Sequence, residues 1–454
     1  MYRSVTVVGA GRSGLAAARL LHSLGAEVFV SEQGALDQHI KAELTHLGIA
    51  FEEHGHTERA IASAELIVLS PGVSIKTPIV HSARARGIPV WGELELAYRL
   101  CPTEKIIAVT GTNGKSTTTK LIEELLTQSG HRALSAGNIG TPLSARLHEI
   151  TPQTIVVLEV SSFQLESIES FRPAVAVFLN IAPNHLDRHG SFAEYLSIKC
   201  RIFENQTERD LLVLPKDLSL PRRPRSRIVY YDELLAELSS LKAPAHLKRD
   251  IAAAWAAARA FVPDMPPPSQ EICSRVRLPH RQEFIAEING VKFYDDSKAT
   301  TVHATLAALD AFDEPFVLIL GGRNKNLDFA PLAHALRSKR LCEILLMGEA
   351  APQIARALRA AQITRFSFVK DFSEAVARAL RYPGATCLLS PACSSFDQFR
   401  NYEERGRAFR EAVLRAGDPH FALARPVKLA EEDPLPRPQE KLPLGNGHRD
   451  RVPQ

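Results

Sequence analysis

The chain has 454 residues, of which 45% are hydrophobic and 23% charged, and its formal net charge is +4. This ordinary globular composition gives no reason to expect a nucleic-acid partner, and no apolar run nears the roughly 20 residues that a membrane helix needs. Six cysteines without a C-x-x-C pair predict reduced thiols in a cytoplasmic protein, and the strand-like start predicts no secretory signal.

Short apolar runs alternate with helical segments along the whole chain, which predicts an α/β fold of about three domains at ~150 residues each. Near-continuous apolar strands are typical of parallel sheets covered by helices on both faces. The predicted strands are residues 5–8, 28–30, 66–69, 106–109, 155–158, 174–179, 211–214, 316–320, 343–347 and 386–389. The last 24 residues, 431–454, hold five prolines and few large apolar groups, so we expect a disordered tail.

A glycine-rich turn, GAGRSG at residues 9–14, follows the first predicted strand and opens a helix rich in Ala and Leu. It fits the G-x-G-x-x-G pattern, which lets a phosphate approach the helix N-terminus. Glu32 ends the next strand and could accept a hydrogen bond from a ribose hydroxyl. The residues alone leave three interpretations open: a nicotinamide dinucleotide site, another nucleotide site, or tight helix–strand packing.

A second glycine turn lies in the stretch VTGTNGKSTTTK, residues 109–120, between a strand and a helix. Its backbone amides would face phosphate oxygens, Lys115 would contact the β/γ-phosphates, and Ser116 or Thr117 would offer a hydroxyl to Mg²⁺. The usual first glycine is displaced, because its slot holds Val109. The pattern predicts an ATP site formed by Gly111, Thr112, Asn113, Gly114, Lys115, Ser116 and Thr117.

Metal-binding partners for this loop follow the next two strands. Glu159 ends the strand at 155–158, and His185 follows the strand at 174–179, so both are expected at the sheet edge where ligands bind. Lys199 lies in the helix that Ser191 and Glu194 cap, and its position alone predicts a surface lysine.

Three later strands also end in polar or cationic loops, at 295–300, 321–325 and 390–399. Lys298, Arg323 and Lys325 would suit an anionic substrate or ATP.

The segments TGTNGKST, LEVSSFQLE, HLDRHG, DDSKAT and LSPACSSFDQF, in this order, resemble the Mur ligases, and the similarity runs from residue 5 to about 415. Within that family the last segment is typical of the members that add D-glutamate to UDP-N-acetylmuramoyl-L-alanine. A sibling Mur-type ligase that adds L-glutamate or another residue, a folylpolyglutamate synthase, a nicotinamide-dependent oxidoreductase and a regulatory nucleotide-binding protein are the alternatives.

The resemblance implies a Rossmann-like substrate-binding domain at 1–95, a P-loop-type central ATPase domain with a parallel sheet at 96–278, and a Rossmann-like α/β amino-acid-binding domain at 279–430. It assigns the glycine-rich turn to the UDP part of the substrate and not to a dinucleotide. It also implies a monomer that closes its third domain over the site and works on the muramoyl-alanine substrate, D-glutamate and ATP.

Residue roles carry over by position. Lys115, Glu159, His185 and Lys199 are implied as catalytic. Two Mg²⁺ ions are implied at Ser116, Glu159, His185 and Lys199, with Lys199 carbamylated. Arg281 and Asp296 are expected to face ATP. The UDP-substrate contacts are Ser13, Glu32, Ser70 and Asn138. The glutamate contacts are Lys298, Thr300, Ser395 and Tyr402.

Three positions depart from the family pattern. Asp250 stands where an asparagine near adenine is expected, His303 lies where a small or acidic residue is more usual, and Tyr402 replaces a phenylalanine.

Overall fold

The computed structural model describes residues 2–418 except 139, 276–278, 310, 311 and 313, so the tail expected at 431–454 lies outside the described residues. Three sheets follow one another along the chain, each with helices on both faces. Within the described residues, no helix combines the length and apolarity needed to span a bilayer.

The first sheet is parallel, with the strand order β3-β2-β1-β4-β5. Its strands are β1 (Ser4–Val8), β2 (Glu27–Ser31), β3 (Ala50–Glu52), β4 (Leu66–Leu69) and β5 (Val90–Gly92). Its helices are α1 (Arg12–Ser23), α2 (Gln38–His46), α3 (Arg59–Ala62), α4 (Pro78–Ala85) and α5 (Glu93–Leu100). Successive residues of β1 pack on opposite sides, Val7 with one buried cluster and Val8 with another, so both faces are covered.

The second sheet is also parallel, in the order β11-β10-β9-β6-β8-β7. Its strands are β6 (Ile106–Thr110), β7 (Ala133–Gly137), β8 (Ile155–Glu159), β9 (Val175–Phe178), β10 (Leu211–Leu214) and β11 (Arg227–Tyr230). Its α-helices are α6 (Lys115–Gln128), α7 (Leu143–Arg146), α8 (Ser162–Leu165), α9 (Leu186–His189), α10 (Phe192–Lys199), α11 (Ala245–Ala258) and α12 (Gln270–Arg275). Short 3₁₀ helices occupy Leu147–Glu149, Cys200–Phe203 and Tyr231–Leu234.

The third sheet is mixed, in the order β12-β13-β17-β14-β15-β16. Its strands are β12 (Glu283–Ile288), β13 (Val291–Asp295), β14 (Phe316–Gly321), β15 (Leu341–Met347), β16 (Phe366–Phe368) and β17 (Thr386–Ala392). Its helices are α13 (Val302–Leu309), α14 (Ala330–Leu336), α15 (Ala351–Ala360), α16 (Phe372–Ala379) and α17 (Tyr402–Gly417). The hairpin β12–β13 is antiparallel, and the other strand pairs of this sheet are parallel.

Glu95 fixes the joint between the first two sheets. Its buried carboxylate accepts hydrogen bonds from the backbone N–H groups of Glu169, Ser170 and Phe171, at 2.9 to 3.0 Å, and pairs with Arg99 on its own helix. One helix that leaves the first sheet is therefore anchored to the body of the second.

Candidate active site

The turn after β6, at residues 111–114, has a backbone that suits phosphate binding and is called the phosphate turn below. Its last residue, Gly114, has φ +84 and precedes the first turn of α6, so the free N–H groups of that turn face outward. A Cβ at this position would overlap the carboxylate of Asp250, which packs directly against the turn. Only glycine therefore fits both the backbone conformation and the space.

Lys115 begins α6 and folds back over the turn. Its Nζ donates hydrogen bonds to the carbonyls of Gly111 and Thr112, at 3.0 and 2.9 Å. Burial lowers the pKa of Lys115, while the charge of Glu159 acts in the opposite direction. Of the two candidate hydroxyls, Ser116 lines the same cavity as Lys115. The buried Thr117 hydroxyl has no hydrogen-bond partner among the described residues.

Glu159 ends β8, beside the phosphate turn, and is 2% exposed. Asn138 donates to its Oε1 at 2.9 Å, and its Oε2 is buried without a hydrogen-bond partner in the described part of the chain. An unpaired buried carboxylate oxygen is costly unless a cation satisfies it. This orphaned oxygen therefore fits a metal ligand.

His185 follows β9 and has the left-handed conformation, φ +53, as the N-cap of α9. The edge of its ring packs on Phe163, with ring centroids 4.8 Å apart. Burial, and then the charges of Lys325, Lys115 and Lys199, lower the pKa of His185 to about 2. The imidazole is therefore neutral, which is the form that binds metal.

Lys199 is 1% exposed, so the surface lysine expected from its helix position alone is wrong. Its Nζ donates to the carbonyl of Gly111 at 2.8 Å and to the Thr110 hydroxyl at 3.2 Å, which brings it beneath the phosphate turn. Burial, reinforced by the charge of Lys115, holds the pKa of Lys199 well below its usual value. A lowered pKa increases the fraction of the amine that is uncharged, and the uncharged amine can act as a nucleophile.

A cavity of about 310 Å³ opens beside the phosphate turn, between the second and third sheets. Asp250 and Arg281 line it together with Asp296 and His303. Burial raises the pKa of Asp250 and of Asp296 to about 7 each, and the Arg281 guanidinium opposes both shifts. The Nε of Arg281 has no partner among the described residues, so the guanidinium retains a donor for a ligand.

A second cavity, of about 640 Å³ and called the large cavity below, is lined by Lys115 and lies apart from the cavity beside Asp250. Thr300, Ser395 and Tyr402 line it from the third sheet. Lys298 lines a smaller space between the two cavities, with its Nζ 5.3 Å from the Tyr402 ring centroid. Burial lowers the pKa of Lys298 to about 8.

The candidate cations divide into two groups. Lys325 lines the large cavity, and burial lowers its pKa to about 8. Arg323, in contrast, pairs with Glu349 at 2.8 Å on the surface, where both side chains are about half exposed. Unlike Lys298 and Lys325, Arg323 does not line any of these spaces, so its contact with an anionic ligand stays a prediction.

The residues expected to contact the UDP group lie apart from these cavities, with one exception. Asn138 lines the large cavity. Ser13, Glu32 and Ser70 gather around the glycine-rich turn of the first sheet. There the Glu32 carboxylate accepts from the backbone N–H groups of Ala10 and Gly34, at 2.7 and 3.1 Å.

Two arginines near the site were not predicted from the sequence. Arg12, inside the glycine-rich motif, lines the large cavity and donates to the Gly140 carbonyl at 3.3 Å. Arg405 is 3% exposed and donates to the carbonyls of Ser297 and Cys393, which fixes the loop that carries Lys298. The motif position of Arg12 could have signalled its role, whereas nothing local distinguishes Arg405 from other arginines of its helix.

Models of one protein family match three successive segments of the chain. The family model described as Mur ligase MurD-like, N-terminal domain, matches residues 3–92. The models for the Mur ligase middle domain and the Mur ligase glutamate ligase domain match residues 109–230 and 280–393.

Full-length relatives give the same result. A protein of Pelotomaculum thermopropionicum, named UDP-N-acetylmuramoylalanine--D-glutamate ligase, is 40% identical, over 91% of this chain and 97% of its own length. A relative of that name from Desulfitobacterium hafniense is 39% identical, over 91% and 98%. A solved structure of MurF ligase from Thermotoga maritima, in complex with ADP, covers 86% of this chain and 95% of its own, with 13% identity and a TM-score of 0.56, which is a likeness of fold.

Proposed function

The chain belongs to the Mur ligase family, and on that premise we propose that it uses ATP to join D-glutamate to UDP-N-acetylmuramoyl-L-alanine, forming ADP and phosphate in peptidoglycan precursor synthesis. The observation that carries the proposal is the shared cavity lined by Lys115, Glu159 and His185 from the second sheet and by Lys298 and Tyr402 from the third. We further propose a cytoplasmic monomer with the three domains set out above.

In the first step, the L-alanine carboxylate attacks the γ-phosphate of ATP and displaces ADP, which leaves an acyl phosphate. Two anions approach each other, so the barrier is largely electrostatic. Lys115 and the N-terminus of α6 stabilise the charge that develops on the phosphate, an effect that can contribute several kcal/mol. In the second step, the neutral amine of glutamate attacks the acyl carbon and phosphate leaves.

The residues present fit a divalent cation. The buried Oε2 of Glu159 lacks a partner among the described residues, His185 is neutral, and Ser116 lines the same space. Lys199 fits carbamylation, since its pKa is lowered by burial and a neutral amine can react with carbon dioxide. Mg²⁺ held by Ser116, Glu159, His185 and the carbamate of Lys199 would neutralise the transferring phosphate.

The glutamate substrate carries two carboxylates, and the large cavity and the smaller space beside it together offer cations and hydroxyls to both. Lys298 and Lys325 supply positive charge, and Thr300 and Ser395 supply hydroxyl donors. The third-sheet loops that bear them also cover the phosphate turn. This cover would keep water from the acyl phosphate, which otherwise hydrolyses.

The experiment is phosphate release by the purified protein with ATP, Mg²⁺ and UDP-N-acetylmuramoyl-L-alanine, with D-glutamate compared against L-glutamate and a panel of other amino acids. We expect release that requires all components and prefers D-glutamate. Release with L-glutamate or another amino acid instead would identify a sibling ligase. No release with any acceptor, or a change in NADH fluorescence on mixing, would reject the proposal.

A further inference from the structure

Arg188 connects two parts of the site that lie on different sheets. It belongs to α9, three residues after His185, and its side chain is 15% exposed. Its guanidinium donates to the carbonyls of Gly72 and Val73, at 2.9 and 3.0 Å, across the boundary between the first and second sheets. These carbonyls belong to the loop at residues 70–73, which follows β4.

The loop at 70–73 is rigidly seated at its other end. Val73 donates its N–H to the Ser70 carbonyl at 2.9 Å, which closes a turn. A Cβ on Gly9 would overlap the Val73 side chain, so the loop packs directly on the glycine-rich turn. A ligand that fills this turn therefore meets the loop that Arg188 holds.

The other side of Arg188 reaches the metal-binding histidine. Its guanidinium lies over the Phe163 ring, 4.4 Å from the centroid, and the same ring packs edge-on against His185. Glu166 holds the guanidinium in a bidentate pair, with distances of 2.6 and 3.1 Å, and is itself 5% exposed at the side chain. The fork geometry of arginine is needed, because one side chain must reach two carbonyls and a carboxylate.

We propose that Arg188 is a positioning residue that couples occupation of the loop at 70–73 by the nucleotide part of the acceptor to the placement of His185. The inference deepens the proposed function and rests on it. The path runs from the loop through Arg188 and Phe163 to His185. The acceptor nucleotide thereby organises the chemical centre, while ATP, which binds in the separate cavity beside Asp250, does not depend on this contact.

The first experiment compares steady-state kinetics of wild type, Arg188→Gln and Arg188→Lys. Arg188→Gln should lower kcat/KM for UDP-N-acetylmuramoyl-L-alanine by about 10- to 100-fold, the usual effect of removing a residue that orients a ligand. KM for ATP should stay at the wild-type value, although the temperature of thermal unfolding should fall because the buried carboxylate of Glu166 loses its cation. Arg188→Lys should recover only part of the loss, since lysine keeps the charge but not the fork.

Arg19→Gln is the matched control, because Arg19 also forms a bidentate pair with a glutamate, Glu43, but within the first sheet's own helices. It should retain wild-type kinetics. Phosphate release by the wild-type protein in the same assay separates the two proposals. If the wild type releases no phosphate, the proposed function is rejected. If the wild type releases phosphate and Arg188→Gln has the same kinetics, only the coupling through Arg188 is rejected. If KM for ATP rises by the same factor as KM for the acceptor, Arg188 is a structural residue and the proposal is overturned.

A double-mutant cycle with Phe163→Leu tests the path itself. Because the ring of Phe163 lies between the guanidinium and His185, the losses in kcat from Phe163→Leu and Arg188→Gln should be strongly non-additive. Additive losses would overturn the proposed path. Should Arg188→Gln fail to fold, Arg188→Lys takes its place in the cycle with the same criteria.

Discussion

Single residues at this site have properties that their surroundings impose. Burial lowers the pKa of both Lys199 and Lys115, and Lys115 lies close enough to Lys199 for its charge to lower the pKa of Lys199 further. Asp250 shows the opposite shift, because burial disfavours its negative charge. The chemistry of these residues therefore depends on a water-poor pocket that two sheets form together.

Lys199→Ala tests the neutral amine beneath the phosphate turn. We expect phosphate release to fall by about 10- to 100-fold, because a ligand-orienting group is lost. Formate or acetate should restore part of the activity, since a small carboxylate can fill the place of the carbamate. The control is Lys120→Ala, whose side chain is 44% exposed and pairs with Glu123. Wild-type activity of Lys199→Ala would remove this residue from the mechanism.

Asp250→Asn tests the cost of a buried carboxylate. The folded-state pKa of Asp250 is raised to about 7, so its contribution to stability is present at low pH and is lost as the pH rises through that value. The amide needs no proton. The variant should therefore unfold at least about 2 °C higher than wild type at pH 8, with a smaller gain at pH 5.

Thermal unfolding of the ligand-free proteins across that pH range measures this difference. Asp264→Asn, at an exposed carboxylate, is the control and should show no pH-dependent gain. An equal gain for Asp250→Asn at pH 5 and pH 8 would contradict the argument.

At the scale of elements, the two glycines that flank α6 have different roles. Gly114 and Gly130 bracket the helix with similar backbone angles, φ +84 and +80. A Cβ on Gly114 would overlap Asp250, whereas a Cβ on Gly130 would meet nothing within 4 Å. The first glycine therefore serves the ligand site and the second only ends the helix.

Gly114→Ala should reduce phosphate release by at least about 100-fold, because the turn must move away from the phosphates to admit the methyl group. Gly130→Ala carries the same backbone strain, about 1 kcal/mol, without the overlap, and should keep its activity. Kinetics with varied ATP measure the difference. Equal effects of the two substitutions would show that backbone strain, and not space at the turn, sets the loss.

The sequence predicted the ten apolar strands because buried parallel strands have continuous apolar runs, as at residues 66–69 and 211–214. It missed β7 (Ala133–Gly137), whose residues are small, and four edge strands of only three or four residues, β3, β5, β11 and β16. It also missed the antiparallel strand β12, although Asn289 and Gly290, the pair typical of a tight hairpin turn, adjoin it.

For the site, strand ends brought Glu159 and His185 together as expected, since parallel strands share one edge. Site residues that are contributed by a different sheet could not be predicted in this way, because no local sequence pattern marks them. Arg188 and His303 have their roles only because two sheets meet, and no spacing along the chain encodes that meeting.

At the scale of the whole molecule, the second and third sheets are linked through His303. Its Nδ1 lies 2.7 Å from Asn113 Nδ2 in the phosphate turn, and the amide can donate only to a neutral ring. Burial lowers the pKa of His303 below its usual value. The hydrogen bond between Asn113 and His303 is therefore fully formed above about pH 6.5, and it is lost as the pH falls through the lowered pKa of His303.

His303→Ala should raise KM for ATP about fivefold at pH 8, the equivalent of one hydrogen bond of about 1 kcal/mol. The difference from wild type should shrink as the pH falls through the lowered pKa of His303, since wild type loses the same bond there. KM for ATP at each pH is the measurement. His81→Ala, at an exposed helix position, provides the control. A pH-independent difference would show that His303 contributes shape and not this bond.

The Glu95 anchor is one of several contacts that hold the first sheet against the second. With α5 anchored to the backbone at Glu169–Phe171 and Arg188 holding Gly72, the first two sheets are joined at two separate places and form one structural unit. An acceptor bound at the glycine-rich turn would therefore lie on the same unit as the phosphate turn, whereas Lys298 and Tyr402 reach the shared space from the third sheet.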